Sequence, residues 1–90
     1  MRVVQLTEGF YRTRLIHAPH GSPVDAAVRV VLRQLEHGKA PLPGDDPEAL
    51  RTPRLRVWSR AVPGTTLVLT YAITPPGVRV LSVHPAYRAV

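Results

Sequence analysis

Ninety residues with ten prolines, six glycines and no cysteine describe one small domain, spanning 1–90, and exclude a disulfide-stapled miniprotein, a thiolate metal site or a pair of domains. The hydrophobic fraction of 44% is that of a globule rather than a disordered tail. The net charge of +6 is unevenly spread: all six acids (Glu8, Asp25, Glu36, Asp45, Asp46, Glu48) precede residue 49, and the 42 residues after Glu48 carry six arginines against none.

Such asymmetry points to a polyanion or an acidic protein as partner. Eleven of the twelve basic residues are arginine, a bias that high-GC coding also produces. No apolar run approaches the roughly 18 residues of a membrane helix, and Met1 to Leu6 lacks the apolar stretch of a signal peptide. No membrane partner and a cytoplasmic address are therefore expected.

In chain order, Arg2 to Leu6 reads as a short β-branched strand. Thr7-Glu8 caps a predicted helix to about His17, with Gly9 as its weak point, and Pro19-His20-Gly21 breaks it. A second helix follows: Ser22 is the N-cap, Pro23 the first helical residue, and Asp25 stands three after Ser22 in a capping-box arrangement. Val24, Val28, Val31 and Leu35 make its apolar stripe, while Asp25, Arg29, Arg33 and Glu36 fall outside it, Asp25 and Arg29 at i,i+4. Gly38 ends this helix, and Ala40 to Pro53 is a long proline-rich connection.

Three strand signals close the chain, separated by Pro63-Gly64 and Thr74-Pro75-Pro76-Gly77: Arg54 to Ala61, Thr66 to Ile73 and Val78 to His84. Alternation puts Arg54, Arg56, Trp58 and Arg60 on one face of the first of these, and Leu55 and Val57 on the other. The expected architecture is α+β, in the order β-α-α-β-β-β, with a mostly antiparallel twisted sheet. Two helices pack on one face, and the opposite face is studded with arginine.

A sheet face combining guanidinium groups with an indole offers phosphate pairing and base stacking, the physical recipe for single-stranded nucleic acid. The same pattern also suits a solvated strand with Trp58 half-buried against a neighbour. His84, Tyr87 and Arg88 crowd the last segment, where an imidazole can exchange a proton, a phenol can donate a hydrogen bond and an arginine can hold a phosphate. Packing and solvation would account for that segment too. Glu48 follows Asp45, Asp46 and Pro47 in what reads equally as an acidic turn. His17, His20 and His37 have no spacing partner for zinc. With no Gly-rich phosphate loop and no Ser/His/Asp constellation, no metal and no cofactor are expected.

The whole chain resembles the RelE/ParE toxin superfamily of bacterial toxin–antitoxin systems, its YoeB branch above all. The resemblance rests on Pro47-Glu48-Ala49-Leu50-Arg51, Trp58-Ser59-Arg60, the stretch Leu67 to Thr74 and the terminal His84-Pro85-Ala86-Tyr87. It implies a RelE-like microbial RNase fold and a toxin that cuts mRNA in the ribosomal A site by attack of the ribose 2′-hydroxyl. By position it implies Glu48 as general base, with Arg60, His84 and Tyr87 as further catalytic groups. RNA contacts would come from Arg51, Arg54, Arg56, Trp58, Arg79 and Arg88.

The implied partners are the 70S ribosome, mRNA and an antitoxin whose acidic C-terminal segment covers the basic face. Relatives in this branch can form homodimers. Two departures stand out. Thr65, Thr66 and Leu67 occupy the region of the family's strand-three arginine, and Ala86 replaces its penultimate histidine, with His84 two residues earlier. Loss of a cation aimed at a phosphorane commonly costs about 3 kcal/mol. The resemblance therefore leaves two other expectations beside a nuclease: a ParE-like inhibitor of gyrase, and a catalytically degenerate RNA- or antitoxin-binding member.

Overall fold

A computed structural model of the chain describes residues 3–39, 41–47, 57–74 and 77–86. The elements run β1 (Val3–Leu6), α1 (Glu8–His17), α2 (Pro23–His37), β2 (Asp46–Pro47), β3 (Val57–Ala61), β4 (Leu67–Thr74) and β5 (Gly77–Pro85). The expected β-α-α-β-β-β order is present, with the two-residue β2 added inside the proline-rich connection. The chain is α+β with a mixed sheet in the order β1-β5-β4-β3-β2, β1 lying parallel to β5 and the other pairings antiparallel.

Both helices begin where their caps require. Thr7 Oγ1 accepts from Phe10 N at the start of α1, and Ser22 Oγ accepts from Asp25 N at the start of α2, where Pro23 fits because its missing N–H has no helical partner. The apolar stripe of α2 buries Val28, Val31 and Leu35. Phe10 of α1 joins them, and together they meet Leu69 and Tyr71 of β4 and Val80 and Val83 of β5 in one cluster of fully buried side chains. Both helices therefore cover the same face of the sheet. Burying a side chain of this size contributes about 1.5–3 kcal/mol.

Gly9, the weak point of α1 in the sequence, has a packing reason. A Cβ there would lie 2.8 Å from Leu81 O, so glycine lets the helix backbone come against β5. The approach coincides with a shift of register between Thr70 and Tyr71, where β5 carries an extra residue, Leu81, against β4. Backbone groups near this bulge are satisfied from α1 and its N-cap: Thr7 Oγ1 donates to Val80 O at 2.7 Å, and Val83 N donates to Thr13 Oγ1 at 3.0 Å.

The sheet register corrects the expected placement of Trp58 and Arg60. Trp58 pairs with Tyr71 and Arg60 with Leu69, both fully buried beneath the helices, so Trp58 and Arg60 point to the helix-bearing face. Trp58 packs against the core cluster. Asp25, expected on the solvent side of α2, is also inside, at 2% exposure. Arg54 and Arg56, expected beside Trp58, lie outside the described residues.

Candidate functional site

The face that the helices leave carries a different set of side chains. Reading across the register from β3 to β5, Ser59 stands opposite Thr70 and Thr70 opposite Ser82, with His84 two residues on and therefore on the same side of β5. Thr70 Oγ1 and Ser82 Oγ are 2.6 Å apart, and Ser82 Oγ is 3.0 Å from His84 Nδ1. Arg79, exposed, occupies the same face nearer β1, where its Nε donates to Gln5 Oε1 at 3.4 Å. A partly exposed imidazole backed by two hydroxyls, with a guanidinium on the same sheet surface, can donate hydrogen bonds to an anion and exchange a proton with it.

Arg60 serves a second site, on the other side of the sheet. Its Nη1 donates to Asp45 Oδ1 at 2.6 Å and to Pro43 O at 3.2 Å, and its Nε donates to Gln34 Oε1 of α2 at 2.9 Å. The Asp45 side chain is wholly buried. Its second oxygen accepts from Leu42 N at 3.1 Å and from the Tyr71 hydroxyl. Withdrawing a carboxylate from water costs several kcal/mol unless pairing is close and its lone pairs are satisfied, and here both oxygens are engaged. Burial and the hydrogen bond to the Asp45 carboxylate push the Tyr71 phenol well above its ordinary value of 10. The network ties residues 42–45 to α2, β3 and β4. It also pairs an arginine that the charge tally counted as unaccompanied.

A third cluster joins the helices. Asp25 Oδ1 accepts from Arg14 Nε and Nη2 at 3.2 and 2.9 Å, while Oδ2 accepts from Gly21 N at 3.3 Å and lies 3.2 Å from Arg29 Nη2. Burial alone would raise its pKa; the Gly21 N–H, Arg14 and Arg29 together hold it below the ordinary 3.8. The i,i+4 pairing of Asp25 with Arg29 agrees with the spacing. The reach of Arg14 across from α1 explains why the carboxylate is inside.

Of the residues singled out in the sequence, His84 and Arg79 share the sheet face opposite the two helices, whereas Trp58 and Arg60 do not. Glu48, Arg51, Arg54, Arg56, Tyr87 and Arg88 lie outside the described residues. Thr70, Ser82, Asp45 and Tyr71 were missed. The i,i+2 spacing of Ser82 and His84 was a visible signal, but the role of Thr70 depends on strand pairing and that of Asp45 on a partner 15 residues away. Among the described residues no group of three His, Cys, Asp or Glu could hold a metal ion, and no helix is long and apolar enough to cross a membrane. A shallow hollow of about 630 Å³ between His17, Val24 and Gly64–Leu67 takes no side chain from these three clusters. Compared with known proteins, the chain matches no family model, no curated protein and no solved structure.

Proposed function

We propose that the chain is the toxin of a type II toxin–antitoxin pair, an endoribonuclease that cuts mRNA in the A site of the ribosome. The observation that carries this reading is His84, held by Ser82 on the sheet face opposite α1 and α2, with Arg79 on the same surface. The α+β order agrees with the fold that the resemblance implies, and the acid-free second half of the chain suits a polyanion. In the reaction, Glu48 takes the ribose 2′-hydroxyl proton, the 2′-oxygen attacks phosphorus, and the bond to the 5′-oxygen breaks to leave a 2′,3′-cyclic phosphate. His84 and Tyr87 serve the departing oxygen. Arg79, with Arg51, Arg54, Arg56 and Arg88, holds phosphates. An acidic antitoxin segment would compete for these cations.

Arg60 is assigned a supporting part, because freeing it for phosphate would strand buried Asp45. That engagement favours a second reading, an RNA-binding member that does not cleave, since one more cation is removed from the reacting phosphate. Induced expression followed by ribosome toe-printing separates the two. New mRNA ends in the A site, lost in His84→Ala at equal protein abundance, support the nuclease. Steeply salt-dependent RNA binding with intact mRNA supports the binder. Intact mRNA together with blocked DNA supercoiling would overturn both.

A further inference from the structure

The two edges of the sheet are finished differently. β2 closes one of them with only Asp46–Pro47, and proline has no N–H to offer a further strand. At the other edge β1 reads Val3-Val4-Gln5-Leu6, with neither proline nor charge. Its ladder with β5 fixes which backbone groups remain. Thr7 N donates to Val80 O at 3.2 Å, and in a parallel ladder the N–H and C=O of one residue point the same way, alternating along the strand. Val3, Gln5 and Thr7 therefore address β5. The N–H and C=O of Val4 and Leu6 point away from it, with no backbone partner among the described residues.

Side chains at this edge are also unfinished. Val4 and Leu6 pack against the core cluster yet stay only partly buried, and Val3, on the opposite face, is 55% exposed. On the side of Val3, Arg79 reaches from β5 onto β1, where its Nε donates to Gln5 Oε1, so its cationic head lies over the edge strand. Among the described residues no carboxylate forms an ion pair with Arg79.

We infer that the outer edge of β1 takes an extended segment of a partner protein as a sixth strand, apolar toward the helices and acidic on the other face. The alternation of a strand supplies both sets from one segment. Pairing gives Val4 and Leu6 main-chain partners, the apolar set completes their burial, and a carboxylate beside Gln5 meets Arg79. A second copy of β1 suits the edge less well, because a continuous two-fold sheet would bring another Arg79 to the same seam and leave both without an anion. The inference concerns the rim of the sheet and holds whether or not the chain cleaves RNA.

The test uses the full-length chain, ¹⁵N-labelled, and acetylated, amidated hexapeptides that alternate valine with glutamate. Saturating peptide should slow hydrogen exchange at the Val4 and Leu6 amides by about tenfold or more, and affect those of Gln5 and Thr7, already bonded to β5, less. The same peptide with every amide methylated should not bind. A lysine–valine peptide should bind about two- to fivefold more weakly, and Arg79→Glu, checked for native near-ultraviolet circular dichroism, should invert that preference. Absence of binding at about 1 mM glutamate peptide, or binding that leaves the Val4 and Leu6 amides exchanging freely, would overturn the inference. A preference for glutamate that survives in Arg79→Glu would trace it to overall charge and remove Arg79 from the site. A sedimenting dimer with those two amides slowed in the absence of peptide would give the edge to a second copy and overturn the inference as well.

Discussion

Arg60 illustrates how one side chain can invite two accounts. Beside Trp58 in a basic strand it reads as a phosphate ligand, yet its guanidinium closes a network with Asp45, Gln34 and the Pro43 carbonyl. Removing one member of a buried ion pair leaves the other unpaired, at a cost of about 3–5 kcal/mol. Arg60→Ala should therefore lower the free energy of urea unfolding by about 3 kcal/mol and reduce any toxicity through protein abundance. Undiminished stability with lost activity would return Arg60 to the reacting phosphate. Tyr71 gives a second check on the same network. Its raised pKa means that its contribution is intact below the ordinary value of 10 and is lost as pH rises through the higher folded value. An absorbance titration should accordingly find one of the three tyrosines un-ionised until alkaline unfolding, and Tyr71→Phe should remove that signal and cost about 1–3 kcal/mol.

At the scale of elements, the parallel pairing of β1 with β5 depends on a close approach: a Cβ on Gly77 would lie 1.9 Å from Val3 O. Gly77→Ala should therefore separate these strands at their start, costing more than about 2 kcal/mol and exposing the β1 amides that face β5 to hydrogen exchange ahead of the rest of the sheet. Helix limits were legible from the sequence because caps are local: Thr7, Ser22 and Pro23 announce them within a turn. The inward face of β3 was not. Arg-x-Trp-x-Arg alternation fixes which residues share a side, but not which side the helices cover, and that choice was made by Leu69 and Tyr71 across the ladder. For the site, His84 and Arg79 could be named from residue type and position, whereas Thr70 acquires its meaning only opposite Ser82.

At the scale of the whole molecule, the hydrogen-bonded networks described around Thr70, Asp45 and Asp25 join elements to one another, and the one around Asp25 ties α1 to α2. Because the folded carboxyl is held below 3.8, its stabilisation is present at neutral pH and lost as acid takes the pH down through the folded value. Stability should fall below about pH 4, and Asp25→Asn should be less stable at pH 7 with a shallower decline in that acid range. Equal slopes would remove Asp25 from the acid response. The β1–β5 ladder has one more consequence, which concerns synthesis. Val4 is made well before its neighbour Val78, so β1 has no partner on the emerging chain until β5 has been synthesised. Because β5 lies between β1 and β4, the sheet surface bearing His84 assembles only once that strand has left the ribosome.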